Sequence, residues 1–253
     1  MKALKKTLSL LAPAYGVLLW IAVWWILAAY LGKPLLLPTP LATVKKLFSL
    51  ILTKEFLKNI LFSIARITLG LVLATLISIP IALLTVRFPL FRQLLTPLLS
   101  TIKATPVVSV IFLLMLWLGR NSIPFWISFM MAFPIVWSNL HEGFCTTDTD
   151  LLEMASVFSV NKKDLFLKIK LPAAMPYLFA ALHSAIALSW KAGVAAEVLA
   201  LPAHAIGRAI FEGRLYLQTE ELFAYTLTVI LFSFLIERLA LALLPRQKKQ
   251  EEH

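Results

Sequence analysis

Apolar residues in this chain come in long runs, broken by short clusters of charged and turn-forming residues. A helix needs ~20 predominantly apolar residues to cross the hydrocarbon core of a bilayer. Six stretches meet or approach that length, at about residues 14–31, 60–86, 94–118, 122–140, 173–200 and 220–244. Arg66 and Pro80 lie inside the second, Lys103 and Pro106 inside the third, Pro134 inside the fourth, and Lys191 and Glu197 inside the fifth. Thr219 is placed to cap the sixth, and Glu220 and Glu221 after it suit the positive end of a helix dipole. The pattern predicts an all-α polytopic membrane protein, a single domain over 1–253 with about six transmembrane helices.

Two connections between spans are more than tight turns. Residues 33–59 carry KPLLLPTP and then VKKLFSLILTKEFLK, and residues 202–219 place Ile206, Ile210 and Leu217 at helical spacing. Each reads either as a short interfacial helix or as a plain connection. The third, residues 141–172, carries the densest signals. Asp150 with Glu153 has the spacing of a capping box, and Asn161 with Asp164 repeats it. Pro172 is expected to stop the second helix, because proline disfavours helix at the residue before it. The segment thus reads as helix, turn, helix, stop. A two-turn helix does not hold in water by itself, so it either lies on the membrane surface or docks on a partner.

Composition agrees with the pattern. The chain is 60% hydrophobic, against about 45–50% apolar in soluble domains, and its mean hydropathy is +0.86. A net charge of +11 raises nucleic acid as a partner. The charges, however, sit at the ends of apolar runs, where they set membrane orientation, and nucleic acid is set aside. With the N-terminus in the cytoplasm, twelve Lys and Arg fall on inside segments, eight outside and four within spans. That bias puts both termini and residues 141–172 in the cytoplasm. The first apolar run is too long for a signal-peptide core and reads as a retained span. Cys145, the single cysteine, excludes an internal disulfide. His141, His183, His204 and His253 show no metal spacing, and His183 reads as a packed or hydrogen-bonded side chain. No GxxxxGK[ST] loop is present to cradle phosphates.

Ionised groups within spans are costly and face a bundle interior or water. Lys191 and Glu197 are six residues apart, which is not a pairing distance on one helix face. They are candidates for the pore or gate, with Arg66, Lys103 and Pro106. The alternative for the charges is structural pairing, with Glu197 set against Arg66 or Lys103.

The stretch Glu153-Met154-Ala155, then Ser159, then Ile169, Leu171 and Pro172, resembles the EAA loop of binding-protein-dependent ABC importer permeases. That signature is Glu-Ala-Ala, three residues, Gly, nine residues, Ile, one residue, Leu-Pro. Met154 and Ser159 depart from it. If the turn is kept, Ser159 occupies a backbone position suited to glycine, at a cost of ~1 kcal/mol. Residues 60–244, with SIARITLGLVLATLISIPIALL, PLLSTIKATPVVSVIFLLMLWLG, FPIVWSNLHEG and SWKAGVAAEVLA, are similar to the nitrate, sulfonate and taurine permeases. The resemblance implies the type I ABC importer permease fold and a homodimeric pore in a bacterial inner membrane. It implies ATPase subunits that bind the ATP, with no cofactor on this chain, and an extracytoplasmic binding protein that delivers a small solute. Glu153, Met154, Ala155 and Ser159 would dock on the ATPase, and Asn161, Lys162 and Asp164 would add polar contacts. Such a chain is not an enzyme. An ion-coupled carrier using Glu197 and Lys191 is the competing expectation.

Overall fold

A computed structural model describes the backbone of residues 2–243 and the side chains of residues 15–239. The side chains of Lys2, Lys5 and Lys6, and all of Arg246, Lys248, Lys249 and His253, lie outside the described residues, as does the topology reading that rests on them.

Every regular element among the described residues is helical. Helix α1 runs over Lys2–Leu31, α2 over Pro40–Ile51, α3 over Lys54–Arg87, α4 over Pro89–Ala104 and α5 over Val107–Trp117. After a 3-10 turn at Arg120–Ser122 come α6, Ile123–Cys145, and α7, Thr149–Val157. Then follow α8, Lys162–Asp164, a π-helical turn at Leu165–Lys170, and α9, Leu171–Ala200. The last elements are α10, Ile206–Leu215, and α11, Thr219–Leu243. Among the described residues, four continuous helical stretches are long and apolar enough to cross a bilayer: Lys54–Arg87, Arg120–Cys145, Lys162–Ala200 and Thr219–Leu239. The described apolar part of α1, Tyr15–Leu31, is shorter.

The core is three helices deep, with α6 between α3 and α9. Along α3 the buried positions Ser63, Ile67, Gly70, Ala74, Ser78, Ala82 and Thr85 recur every three or four residues, the spacing of one helix face. Most are small, which lets membrane helices approach closely. A Cβ on Gly193 of α9 would lie 2.6 Å from Ile67 Cγ1 and 2.8 Å from Ser128 Oγ. Glycine is therefore required where the three helices meet. Ser128 and Ser189 bind reciprocally across α6 and α9, each hydroxyl donating to the other's carbonyl at 3.3 and 3.1 Å.

The third expected span, 94–118, is not one helix. Helices α4 and α5 meet at 105° around Thr105 and Pro106. Thr105 is extended, with φ −76 and ψ 130, the conformation that a following proline imposes. Pro80 and Pro134, by contrast, are carried inside continuous helices. The second and fourth spans are longer than expected: α3 begins at Lys54, where Thr53 Oγ1 accepts from Phe56 N at 3.2 Å, and α6 runs on to Cys145.

Both uncertain connections contain a helix. Thr39 caps α2 through Ala42 N at 3.2 Å, and α2 buries Thr43, Leu47 and Leu50. In 202–219, Leu217 lies beyond the end of α10, with φ 56. Thr219 does not cap the last helix with its side chain. Its hydroxyl donates to Leu35 O at 2.8 Å, tying α11 to the 32–39 connection.

Candidate functional site

The 146–170 loop is built from two capped helices. The first cap is Asp148, not Asp150: Asp148 Oδ1 accepts from Asp150 N at 2.9 Å, and α7 starts at Thr149. Glu153 therefore sits beyond the capping position and is exposed. The helix ends in a Schellman turn. Val160 N donates to Ala155 O at 2.9 Å and Ser159 N to Ser156 O at 3.1 Å. Ser159 has φ 51, the left-handed backbone expected of the glycine it replaces.

Asn161 caps the second helix. Its Oδ1 accepts from Asp164 N at 2.7 Å, while its Nδ2 donates to Asp164 Oδ2 at 2.8 Å. Lys168 Nζ lies 3.1 Å from Asp164 Oδ1. The hydrogen bond from Lys168, then its charge, hold the Asp164 carboxyl below its usual range.

Pro172 does not stop this helix. Residues 162–200 form one continuous stretch. The π turn, in which Leu171 N reaches back to Phe166 O, lies immediately before Pro172. Its wider turn relieves the clash between a proline ring and the preceding turn. The loop and the fifth span are thus joined by unbroken helix through Ile169, Leu171 and Pro172. Phe166 packs on Phe144 with ring centroids 6.4 Å apart, fixing the loop to the end of α6.

Helix α7 buries only Ala155 against its own chain. Leu151 and Met154 are exposed, Phe158 is 74% exposed and Val157 80%. Fully burying one such side chain contributes ~1.5–3 kcal/mol. The free chain leaves this contribution unused.

At the opposite end of the spans, Glu197 is 0% exposed. Its Oε2 accepts from Ser63 Oγ at 2.8 Å and from Gly207 N at 3.1 Å. Ser63 Oγ accepts in turn from Ile206 N at 3.0 Å. The carboxylate therefore caps α10 at the positive end of its dipole. A Cβ on Gly207 would fall 2.5 Å from Glu197 Cβ, so this approach also requires glycine. Arg66 Nη1 stands 3.8 Å from Glu197 Oε1. Arg66 also donates to Ala203 O at 2.6 Å and His204 O at 3.1 Å, and stacks over Phe62. Of the two partners expected for Glu197, Arg66 is the one found; Lys103 is not near it.

Lys103 lies in the last turn of α4, where a cation suits the negative end of the dipole. With Thr105, Met130, Met131, Pro134 and Leu188 it borders a cavity of about 190 Å³ beside the bend. Lys191, one turn beyond Leu188, is exposed on a face of α9 shared with Ser184 and Ala195. The structure thus gathers Arg66 with Glu197, sets Lys103 beside the Pro106 bend, and leaves Lys191 apart from Glu197.

Several polar partners escaped the sequence reading. Thr85 Oγ1 meets His141 Nδ1 at 2.8 Å and accepts from Trp137 Nε1 at 3.3 Å. Asn59 Nδ2 donates to Tyr225 Oη at 3.3 Å. The available signal was the placement of Asn59, Ser63, Ser78 and Thr85 on one face of an apolar run. His183 Nδ1 is buried with no partner among the described residues, and Cys145 is exposed, with Sγ 3.6 Å from His141 Nε2.

Residues 67–249 match the family described as binding-protein-dependent transport system inner membrane component. Among similar proteins is a probable ABC transporter permease of Brucella melitensis, 25% identical over 92% of this chain and 92% of its own. A putative aliphatic sulfonates transport permease of Bacillus subtilis is 28% identical over 81% of this chain and 74% of its own. A formylaminopyrimidine transport permease of Halalkalibacterium halodurans is 25% identical over 98% of this chain and 100% of its own.

Proposed function

This chain belongs to the binding-protein-dependent transport system inner membrane components, a family of ABC transporter permeases with the type I importer fold, and we propose on that premise that its 146–170 loop couples an ATPase to the spans. It is a transport permease and not an enzyme. The observation that carries the coupling reading is α7, a capped helix that buries one residue against its own chain and exposes Leu151, Met154, Val157 and Phe158. These apolar groups would fill a cleft on an ATPase subunit, with Glu153, Asn161, Lys162 and Asp164 at the rim. Ser159 fixes the angle between α7 and the helix that becomes the fifth span. A push on α7 then passes through residues 162–172 into that span without a flexible joint.

The pore is formed by two copies of this chain, meeting along faces left bare in the monomer. The Ser184, Leu188, Lys191 and Ala195 face of α9 supports this reading. Lys103 and Lys191 line the path and favour an anion, and the bend at Pro106 is the moving part of the gate. Glu197 and Arg66 have a different task, to hold α10 and the 201–205 connection on α3. An extracytoplasmic binding protein delivers the solute, and both termini are cytoplasmic. The substrate is a small sulfonate-like anion, a reading favoured by the Bacillus subtilis relative and the two cations. A formylaminopyrimidine is the second reading, favoured by the full-length match of that relative.

Proteoliposomes holding this permease, its ATPase and its binding protein test the proposal. ATP-dependent uptake of a labelled alkanesulfonate, abolished by removing either partner, is expected. Uptake driven by a proton or sodium gradient without ATP contradicts it and restores the carrier reading.

A further inference from the structure

A cation without a counter-charge stands at the break between α4 and α5. Lys103 falls near the middle of the apolar stretch 94–118, and an ionised group inside a span pairs with another or faces a water-filled cavity. No ion pair among the described residues includes Lys103. Glu197 is already held by Ser63, Gly207 and Arg66. What Lys103 does border is the cavity of about 190 Å³, together with Thr105, Met130, Met131 and Leu188. Val107 borders it too, as the first residue of α5. The first N–H groups of a helix have no partner within it, and α5 begins without a side-chain cap. The positive end of its dipole therefore adds to the charge of Lys103 on one cavity.

The rest of the wall is apolar. The Thr105 hydroxyl is committed to Thr101 O, to which it donates at 2.7 Å. Met130, Met131 and Leu188 supply the opposite side, and unbranched thioethers adapt to alkyl groups of different shape. No Asp or Glu borders the cavity. At ~30 Å³ per water, the space equals that of about six waters. A short alkanesulfonate fits it, and a long chain does not.

We infer that this cavity is a substrate subsite within the membrane that takes a short, unsubstituted alkanesulfonate and rejects an aminoalkanesulfonate. The sulfonate lies at Lys103 and the start of α5, and the alkyl group lies against Met130, Met131 and Leu188. An ammonium on the same ligand would stand close to Lys103, in an apolar wall with no carboxylate to pair it. Burying a charge without a partner is costly. The permease therefore selects by charge pattern on its own, apart from any choice made by a binding protein. The inference rests on the sulfonate reading proposed above. It adds a resting place for the solute at the bend and a discrimination between two classes of sulfonate.

The test uses the full-length permease in nanodiscs, without ATPase or binding protein, so that only this chain discriminates. Cys145→Ser removes the single native thiol, and Leu188→Cys places one in the cavity wall. The readout is the rate at which that thiol reacts with methyl methanethiosulfonate, a small neutral reagent. Ethanesulfonate should slow the reaction about tenfold at a concentration near ten times its Kd. At the same concentration 2-aminoethanesulfonate should leave the rate unchanged. Lys103→Met should abolish the protection and Lys103→Arg should keep it. Met130→Cys repeats the measurement from α6 and should give the same pattern. Equal protection by the two sulfonates overturns the discrimination. Protection that survives Lys103→Met overturns the anion assignment. No protection of either reactive thiol overturns the site, even if the complete transporter imports alkanesulfonates. Protection as expected, without ATP-dependent uptake of alkanesulfonate by the complete transporter, supports the site and overturns the transport reading instead.

Discussion

Truncating Glu197 to alanine should disconnect α10 from the bundle, and the cost can be worked from the hydrogen bonds around the carboxylate. Oε2 accepts from Ser63 Oγ at 2.8 Å and Gly207 N at 3.1 Å, in a site with no exposed surface on Glu197. A buried donor left without a partner costs ~1–3 kcal/mol, whereas hydrogen bonds between membrane helices average ~0.6 kcal/mol. Two such losses therefore span ~1–6 kcal/mol. Removing one partner of a buried charged pair costs ~3–5 kcal/mol, within that range. Glu197→Gln is the control. Its amide oxygen can keep both hydrogen bonds, and the Arg66 contact it gives up is long, at 3.8 Å. Arg66 also retains the Ala203 and His204 carbonyls. The glutamine should cost about 1 kcal/mol, near that of one ordinary hydrogen bond. The assay is folded yield and thermal unfolding in detergent, followed by uptake per folded molecule. The alanine variant should lose most of its folded yield, while the glutamine variant keeps near-native yield and uptake. If glutamine abolishes uptake in a fully folded protein, the charge of Glu197 has a transport role and the structural assignment is wrong. If alanine folds as well as the native chain, the hydrogen-bond argument fails.

Other expectations follow from single residues. Ser159→Gly should relieve the left-handed backbone and stabilise the turn by ~1 kcal/mol, read as slower hydrogen exchange at Val160. Ser159→Val should do the reverse. The Asn161 cap should depend on pH with a defined sign. Because Lys168 depresses the Asp164 carboxyl, the stabilisation is fully present above the ordinary Asp range, ~4, and is lost as pH falls through the lower folded value. Exchange protection of the Asp164 amide should therefore be flat from neutral pH to ~4 and fall below it. Gly193→Val should overpack the α3, α6 and α9 crossing by ~1–3 kcal/mol or more, lowering the unfolding temperature. Pro106→Ala should ease the constraint on Thr105 and alter the 105° bend. Cysteine accessibility at Thr105 and uptake should change together if the bend moves during transport.

The sequence was most readable where one local rule had no competitor. Apolar run length located α3, α6, α9 and α11, and the Asn161 and Asp164 pair located a helix start that the side chains confirm. Prolines were less readable, because the same residue plays three parts here. Pro80 and Pro134 are absorbed in continuous helix, Pro106 sits at a break, and Pro172 follows a π turn. Only the packing around each distinguishes them. The capping-box spacing pointed to Asp150, and the structure uses Asp148, two residues earlier. Glu197 stood out as a charge in a span, but its partners come from α3 and α10. Ser63 and Gly207 are 134 and 10 residues away in sequence, and nothing local points to them. The exposure of Val157 and Phe158 also needed the fold, because a two-turn amphipathic helix reads the same whether its apolar side is buried or free.

The central claim, that α7 docks on an ATPase, is tested most directly by co-purification. The native permease and its ATPase, expressed together, should elute as one complex with stoichiometric ATPase. Glu153→Lys and Phe158→Asp should each release the ATPase while the permease keeps its unfolding temperature. An ATPase that stays bound to both variants, with uptake intact, would contradict the account.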